Sequence, residues 1–296
     1  TGLFNRISNI GRSIRDLRRY FKLNDNYSKI ICVDAIITVL LFMIFSIRKK
    51  LFAWEHMSFF DPVTTTKFKI IKKIVYKRLQ GVIVLTKYDY ELLTNEKFRV
   101  FLIPNFVTTQ EINLCDISDK HVVFIGRYDY QKGFDYLGDI IKITSKNNDI
   151  KYSVLATGND DVIRRNFLEF LRENKIESRV NLIAPTNNIQ EVYLKKTILI
   201  MTSRFEGLPL VLLEAMSYGI PCISFDCLTG PADIIDDNQN GYLIKNFDVF
   251  KFSDKLIKLI NDKCLLEKFS LNAKAKINST FKIDQVRVLW KTLLDS

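Results

Sequence analysis

Short apolar runs alternate with longer amphipathic stretches along much of the chain. In the second half, the runs have the length and composition of buried strands, and the stretches between them have helical periodicity. Predicted helices begin at Gly133, Asp161 and Pro209. The predicted strands of this half are His121–Gly126, Tyr152–Gly158, Val180–Ala184, Ile198–Ser203 and Pro221–Asp226. This alternation is typical of an α/β fold with a doubly wound parallel sheet.

The first third of the chain shows the same alternation in a shorter form. The apolar run Ile30–Ile47 approaches the length of a membrane span, but Asp34 interrupts it. A short strand at Ile30–Val33 that leads into a helix is therefore the better interpretation. The other predicted elements of this third are a helix with an apolar face over Leu3–Phe21, strands at Leu51–His56 and Gly81–Thr86, and a basic helix at Thr66–Leu79.

The two stretches of alternation indicate two domains in series. We expect two Rossmann-like domains that face a cleft, over residues 1–106 and 120–282, joined by a polar linker over residues 107–119. Ligands of such sheets bind at the carboxyl ends of the strands. The residues that follow the predicted strands are therefore the first candidates for chemistry.

Positive charge is concentrated before the predicted linker. Residues 1–105 contain 19 Lys and Arg against 8 Asp and Glu, whereas the rest of the chain contains 25 of each kind. This asymmetry is consistent with a membrane surface, a nucleic acid or a polyanionic substrate as partner, and equally with a solubilising face. No base-stacking motif accompanies the basic residues, so a nucleic-acid partner is not expected.

The number and spacing of cysteines and histidines argue against a disulfide-bonded or zinc-binding fold. The chain has five scattered cysteines and two histidines, and none of the cysteines forms a CxxC pair. A disulfide framework or a zinc site is therefore not expected, and a reducing cytosol is the natural compartment.

Two cations follow the predicted strand His121–Gly126. Arg127 and Lys132 stand at its carboxyl end, beside the predicted start of a helix at Gly133. Two cations together with helix amides suit a diphosphate, although an ordinary surface turn has the same pattern. Gly158 ends the next strand, where a glycine serves either a tight turn or a close approach of backbone.

Two glutamates, with seven residues between them, occur in the stretch SRFEGLPLVLLEAMSYGIPC. Glu206 falls in a loop, where it can accept hydrogen bonds from hydroxyls, and the amides of Gly207 and Leu208 can meet phosphate or sugar oxygens. Glu214 falls within an apolar helix, where the two hydroxyls of a ribose would offset its desolvation. The alternatives are an acid at a helix N-terminus for Glu206 and a buried ion pair for Glu214.

Taken together and in this order, four motifs resemble the retaining glycosyltransferases of family 4, which have the GT-B fold. The motifs are GRYDYQKG, ATG, SRFEGLPLVLLEAMSYGIPC and GPADIIDDNQNGYLI. The spacing of the two glutamates is the family's signature. The match extends from about Lys120 to Ile244, and the segment Ile103–Asn105 fits the end of the family's N-terminal domain.

The resemblance implies a role for each candidate. Arg127 and Lys132 match the family's diphosphate-binding pair, and Gly207 and Leu208 match positions whose amides reach the sugar or phosphate. Glu206 matches the glutamate that contacts the donor sugar. Two further candidates come from the same resemblance: Glu214, which matches the ribose-binding glutamate, and His56 in the segment WEHMSFF, which matches the family's active-site histidine.

The expected activity follows from the resemblance. It implies transfer of a hexose from a nucleoside diphosphate, UDP by family frequency, to a hydroxyl of a growing lipid-linked glycan with retention. No metal or other cofactor is expected, and the acidic pairs Asp160-Asp161 and Asp236-Asp237 are better interpreted as turn or helix-start residues. We expect a cytoplasmic, bacterial enzyme that is peripheral on the inner face of the cell membrane. An arginine-rich first helix and the segment Lys67–Arg78 are the candidates for docking on anionic lipid.

One departure from the family pattern keeps alternatives open. Family members begin with a strand and a glycine-rich loop, whereas this sequence begins with a predicted helix, and the resemblance implies an N-terminal domain without its first strand. The final segment FKIDQVRVLWKTLL matches the family's last helix, over residues 283–296, which packs back towards the N-terminal domain. The alternatives are a nucleotide-sugar epimerase or hydrolase, and a non-catalytic sugar-nucleotide-binding subunit.

Overall fold

The structure is a computed structural model that describes residues 15–24, 26–59, 64–108, 116, 118–146, 148–158 and 160–296. The chain divides into two compact units, Thr1–Pro104 with Leu289–Ser296, and Asn105–Val288. Residues 15–23 are helical, and the earlier part of the predicted helix Leu3–Phe21 lies outside the described residues. Residues 109–115 and 117 of the predicted linker lie outside them as well.

The first unit contains a four-stranded parallel sheet. Its strands pair in chain order, and they are β1 (Ile30–Cys32), β2 (Leu51–Trp54), β3 (Gly81–Val84) and β4 (Val100–Leu102). The helices between its strands include α1 (Ala35–Phe42), α2 (Thr66–Tyr76) and α3 (Lys87–Asn95). A 3₁₀ helix, Phe45–Lys50, precedes β2. The three predicted strands, β1, β2 and β3, are therefore confirmed, and β4, which was not predicted, joins them in one sheet.

Asp34 explains why the apolar run Ile30–Ile47 is not one helix. Its carboxylate caps α1 and accepts a hydrogen bond from the amide of Ile37 at 2.8 Å, so the chain changes from strand to helix at this residue. The predicted strand and helix are confirmed. Within the described ranges, no helix combines the length and the apolar character needed to cross a bilayer.

The second unit contains a six-stranded parallel sheet in the order β10-β9-β8-β5-β6-β7. The strands are β5 (His121–Arg127), β6 (Lys151–Thr157), β7 (Val180–Ile183), β8 (Ile198–Met201), β9 (Cys222–Phe225) and β10 (Gly241–Ile244). Every residue of β8 and β9 is buried, as expected of central strands covered on both faces. The five predicted strands are confirmed, and β10 was not predicted.

Helices pack around this sheet and complete the second core. They are α4 (Phe134–Thr144), α5 (Asp161–Glu173), α6 (Ile189–Tyr193), α7 (Leu210–Ser217), α8 (Pro231–Ile234), α9 (Val249–Asn261), α10 (Lys263–Lys276) and α11 (Ile283–Asp295). The core that they enclose includes Phe124, Phe134, Phe225 and Phe252. α11 begins in the second unit and ends in the first.

The order of the second sheet contains one reversal. From β5 the chain runs outwards through β6 to β7, then returns to place β8 on the other side of β5. The connections that leave β5 and β8 therefore diverge at the carboxyl edge of the sheet. Such a switch point is where open α/β sheets bind ligands. We call residues 128–133 and 202–209, which follow these two strands, the switch-point loops.

Candidate donor-binding site

The two switch-point loops are joined by hydrogen bonds to backbone carbonyls of the first loop. The amide of Arg204 donates to the carbonyl of Gln131 at 2.8 Å, and the Thr202 hydroxyl donates to the carbonyl of Lys132 at 2.8 Å. Gly133 has φ +64°, and a Cβ there would lie 2.3 Å from the carbonyl oxygen of Thr202. Only glycine suits this position, because the loops approach each other too closely for a side chain.

Lys132 and Glu206 meet at this junction. The Nζ atom of Lys132 lies 2.6 Å from Oε1 of Glu206, and the two side chains are 16% and 8% exposed. Gln131 donates from Nε2 to the carbonyl of Phe205 at 2.8 Å and to Oε2 of Glu206 at 3.4 Å. The structure thus brings together two of the residues that the sequence singled out.

Arg127 is placed differently from Lys132. It is the last residue of β5, and its side chain is 63% exposed. Its guanidinium contacts Asp129 at 3.1 Å and Oε1 of Gln131 at 3.4 Å. Of the predicted diphosphate-binding pair, Lys132 is therefore largely buried and paired with Glu206, whereas Arg127 is exposed at the surface beside the same loop.

The loop before α7 offers backbone donors. In the part of the chain that the structure describes, neither the amide of Gly207 nor that of Leu208 donates a hydrogen bond. α7 begins at Leu210, and Pro209 is its N-cap, one position earlier than the predicted place in the first turn. The amides thus lie just before a helix N-terminus, where backbone donors and the helix dipole favour anionic groups.

The segment before α8 supports this loop from behind. The hydroxyl of Thr229 donates to the carbonyl of Glu206. Gly230 has φ +95°, and a Cβ there would lie 2.1 Å from the carbonyl oxygen of Gly207. The path of the backbone at Glu206 and Gly207 is therefore fixed by contacts on the side of α8.

Glu214 lies on α7 and is half-buried. Its Oε2 accepts a hydrogen bond from the hydroxyl of Tyr193 at 3.1 Å, and the described contacts give its carboxylate no cation. Burial raises the pKa of Glu214, and the Tyr193 hydrogen bond opposes that rise. The predicted alternative of a buried ion pair is wrong for the described residues. A carboxylate held by a hydroxyl is suited to accept further hydroxyls, such as those of a ribose.

His56 belongs to the first unit. It follows β2, its ring lies 4.5 Å from that of Trp54, and it lines a cavity of about 190 Å³. Burial lowers the pKa of His56, and the neighbouring Glu55 opposes that effect. The imidazole is therefore neutral at pH 7 and able to accept a hydrogen bond.

Glu55, beside His56, has a structural role. Its carboxylate is buried, contacts Nζ of Lys72 at 2.7 Å and accepts a hydrogen bond from the hydroxyl of Tyr76. These partners hold the segment that carries His56.

The two acidic pairs set aside in the sequence occur in turns and caps. Asp160 caps α5, and its carboxylate accepts from the amides of Val162 and Ile163 at 3.1 Å. Asp236 is paired with Lys276 at 2.9 Å. Across the described residues, no group of three or more His, Cys, Asp or Glu side chains has an arrangement that could hold a metal ion.

Sequence reasoning missed the residues that link the candidates. Gln131 and Arg204 lie inside the recognised motifs, and their positions next to Lys132 and Ser203 were the available signal. Tyr193 has no such signal, because its contact with Glu214 spans 21 residues of sequence and depends on tertiary packing. Arg204 also donates to the carbonyl of Tyr130 at 2.9 Å and pairs with Asp135, which ties α7's loop to the start of α4.

Comparison with known proteins now places the chain. Residues 109–276, more than half of its length, match the family model described as glycosyl transferases group 1. The chain belongs to this family. The matched region contains the switch-point loops and α7, so membership applies to the unit in which the candidate donor residues lie.

Two curated bacterial relatives illustrate the family. The amylovoran biosynthesis glycosyltransferase of Erwinia amylovora is 31% identical over 78% of this chain and 66% of its own length. The UDP-Gal:alpha-D-GlcNAc-diphosphoundecaprenol alpha-1,3-galactosyltransferase of Escherichia coli is 26% identical over 76% of this chain and 65% of its own length. The chain therefore spans less than two thirds of either relative.

A solved structure extends the comparison to the fold. A variant of TarM from S. aureus, in complex with fondaparinux, alpha-GlcNAc-glycerol and UDP, has a TM-score of 0.78 and 26% identity. The similarity covers 90% of this chain and 55% of that one. The prediction of a GT-B fold with two Rossmann-like domains is confirmed.

Proposed function

We propose that this chain carries the donor-binding machinery of a retaining, family 4 glycosyltransferase that moves a hexose from a UDP-sugar to a hydroxyl of a lipid-linked bacterial glycan. The observation that carries the proposal is the meeting of Lys132 and Glu206 at the switch point of the second sheet. A cation, a carboxylate and unused amides at this edge offer partners to both the diphosphate and the sugar of one ligand.

The cations act on the leaving group. Transfer breaks the bond between the anomeric carbon and the diphosphate oxygen, and negative charge collects on the departing diphosphate. Arg127 and Lys132, with the amides of Gly207 and Leu208, stabilise that charge. The acceptor hydroxyl oxygen forms the new bond to the anomeric carbon, and its proton passes to the departing diphosphate.

The carboxylates hold the two ends of the donor. Glu206, fixed by Lys132 and Gln131, accepts hydrogen bonds from hydroxyls of the sugar. Glu214, fixed by Tyr193, accepts hydrogen bonds from the ribose diol. His56 is proposed as a catalytic residue on the family resemblance, with a neutral imidazole that suits hydrogen bonding to an uncharged sugar.

The relatives support the donor and acceptor classes. The name of the E. coli relative specifies a UDP-sugar donor and an acceptor on diphosphoundecaprenol, and the TarM variant was solved with UDP. We extend this pairing to the present chain. A lipid-linked acceptor is consistent with a cytoplasmic location on the inner face of the membrane.

The proposal is tested by calorimetric titration of UDP and GDP, with Mg²⁺ and with a chelator. We expect the nucleotide diphosphate to bind equally well in both conditions, because the phosphate partners named here are side-chain cations and amides. Loss of binding on chelation contradicts the metal-free arrangement. A thermal-shift panel of nucleotide sugars then identifies the donor, because the preferred one stabilises the folded state most.

The phosphate partners are tested by replacing them. Arg127→Ala with Lys132→Ala should weaken UDP about 100-fold or more while changing uridine affinity little, because each charge-assisted contact contributes about 1.5–3 kcal/mol. Arg165→Ala with Lys268→Ala removes two exposed cations of the same unit and is the matched control. Arg127→Ala alone, at an exposed position, keeps the test readable if loss of Lys132 destabilises the fold. Equal weakening of uridine and UDP would refute the assignment.

A further inference from the structure

The outward face of α2 exposes three isoleucines. Ile70, Ile71 and Ile74 are 56%, 47% and 52% exposed, while Val75 and Tyr76 of the same helix are buried. Ile74 lies four positions after Ile70 and three after Ile71, so it neighbours both on the helix surface and joins the three isoleucines into one apolar surface. Contiguous apolar surface that faces solvent marks an interaction site more often than a scattered side chain does.

Basic residues stand at both ends of this surface. Lys67 lies three positions before Ile70, and Lys77 and Arg78 lie three and four positions after Ile74, all of them exposed. The helix sequence TKFKIIKKIVY contains no acidic residue. We call Lys67, Ile70, Ile71, Ile74, Lys77 and Arg78 the α2 face.

We propose that the α2 face docks on an anionic lipid bilayer, with the isoleucines in the boundary between headgroups and acyl chains and the cations against lipid phosphates. A helix with an apolar stripe and basic flanks is suited to lie in the plane of such an interface. The surrounding chain adds to the attraction, because residues 1–105 hold 19 basic and 8 acidic residues.

Charge distinguishes this partner from a second copy of the chain. A two-fold dimer through the α2 face would pair the surface with itself and bring cations of one copy towards cations of the other. An anionic bilayer instead complements both ends of the face at once. The lipid surface is therefore the occupant that matches both the apolar and the charged parts.

Docking through isoleucines as well as cations should respond to salt differently from docking through charge alone. Docking through charge alone is released as salt screens the lipid surface, whereas burial of isoleucine side chains does not depend on ionic strength. Membrane docking rests on the proposed function, because an enzyme that transfers sugar to a lipid-linked acceptor must work at a membrane surface. Vesicle binding is measured without donor or transfer, so the two proposals fail separately.

The experiment is co-sedimentation of the full chain with phosphatidylcholine vesicles, with and without about 30 mol% phosphatidylglycerol. We expect binding to the anionic vesicles, with a fraction retained at about 0.5 M NaCl, where screening is nearly complete within a few ångströms. Ile70→Gln, Ile71→Gln and Ile74→Gln together should weaken binding about ten-fold or more and remove the salt-resistant fraction, because apolar area drives that part. Lys67→Gln, Lys77→Gln and Arg78→Gln together should weaken binding mainly at low salt.

A matched control is available on the second unit. Val162, Phe250 and Leu271 are 60%, 70% and 69% exposed, so their replacement by glutamine removes as much exposed apolar surface elsewhere. This control should bind vesicles as the parent does. Equal losses in the control and in the isoleucine variant would overturn the assignment to α2, as would failure of the parent to bind.

A local reporter tests contact with lipid directly. Ile71→Trp should show a blue-shifted emission with anionic vesicles and quenching by brominated acyl chains, whereas Val162→Trp should show neither. An unshifted Ile71→Trp in sedimented protein overturns the proposal. Self-association that is abolished by the isoleucine variant, without vesicle binding by the parent, assigns the face to a second copy and overturns it as well.

Discussion

Gln131 connects more of the candidate donor residues than any single residue that the sequence suggested. Its side chain contacts Arg127, Glu206 and the carbonyl of Phe205, and its carbonyl accepts from the amide of Arg204. Because an amide carries both a donor and acceptors, it can satisfy a guanidinium and a carboxylate together. Gln131 is therefore a positioning residue for the groups proposed to hold the donor.

Two replacements of Gln131 should distinguish the loss of its positioning contacts from the effect of an added negative charge. Gln131→Ala is expected to lower UDP affinity several-fold, because it frees Arg127, a proposed partner of the diphosphate. Gln131→Glu has nearly the same shape but places a second carboxylate beside Glu206, which competes for Lys132, so we expect a larger loss. The measurement is calorimetric titration of UDP, with Gln190→Ala, an exposed glutamine of the same unit, as control. A Gln131→Glu variant that binds as well as Gln131→Ala would contradict this role.

The two glutamates should fail in different ways. Glu214→Gln is expected to weaken free UDP about ten-fold, because a hydrogen bond to a charged group contributes about 1.5–3 kcal/mol. Glu206→Gln is expected to reduce sugar transfer while leaving free UDP affinity largely unchanged, because its proposed partner is the moving sugar. Binding is measured by calorimetry and transfer with a nucleotide sugar and a lipid-linked acceptor. Equal losses of UDP affinity in Glu206→Gln and Glu214→Gln would contradict the separate roles assigned to the two glutamates.

Burial of Glu214 adds a pH dependence to that binding. Since its pKa is raised, the carboxylate becomes protonated at a higher pH than an ordinary glutamate, and it then loses acceptor strength. We expect the affinity for UDP to fall as the pH is lowered through this raised pKa, and the fall to be smaller in Glu214→Gln. Titrations over the mildly acidic range provide the check. A parallel decline in both proteins would assign the effect to another group.

Secondary structure was predictable where a local pattern was strong. The strands from β5 to β9 are apolar runs bounded by turn residues, and Asp34, a typical N-cap residue, marks the start of α1. β10 was missed because Gly241–Ile244 is short and begins with the glycine of the pair Asn240-Gly241, which is typical of a turn. The contact between Lys132 and Glu206 could not be predicted from local pattern, because it depends on β8 returning to the side of β5.

Gly133 lies in a switch-point loop, and Gly158, which follows β6, is a comparison position for testing how closely the two loops pack. Gly133 and Gly158 both have positive φ, +64° and +92°, but a Cβ at Gly158 would meet nothing nearer than 3.6 Å, against 2.3 Å at Gly133. Gly158→Ala should therefore cost only conformational strain, about 1–2 kcal/mol. Gly133→Ala should cost more and weaken UDP as well, because Thr202 must move. Thermal unfolding and UDP titration give the comparison, and equal costs would show that the loops tolerate separation.

Positive charge is concentrated in one part of the molecule, whereas the two histidines are shared between its two units. The excess of basic residues falls within residues 1–105, while each unit contains one of the chain's two histidines. His121 lies 2.8 Å from the hydroxyl of Ser153 and 3.3 Å from the Nζ atom of Lys196. Burial lowers the pKa of His121, and the charge of Lys196 lowers it further. The pKa of His56 is also lowered by burial, so acid acts on a histidine in both units.

The two histidines should therefore lower the stability of the folded chain in mild acid. Below about pH 6.5 an unfolded histidine binds a proton, while each folded one resists it until its lower pKa is reached. The unfolded state then holds more protons, so the free energy of unfolding falls as the pH decreases through this window. Buried Asp89 and half-buried Glu214 have raised pKa values and act in the opposite sense, because their folded forms gain protons first.

Comparison of variants isolates the histidines from these carboxyls. Thermal unfolding of the parent, His56→Gln and His121→Gln between about pH 7.5 and pH 5.5 should show a smaller fall of Tm in each variant, on the order of 1–3 °C less. If the two units unfold in separate transitions, His56→Gln should flatten only that of the first unit and His121→Gln only that of the second. A variant whose Tm declines as steeply as that of the parent would show that its histidine binds protons equally in the folded and unfolded states.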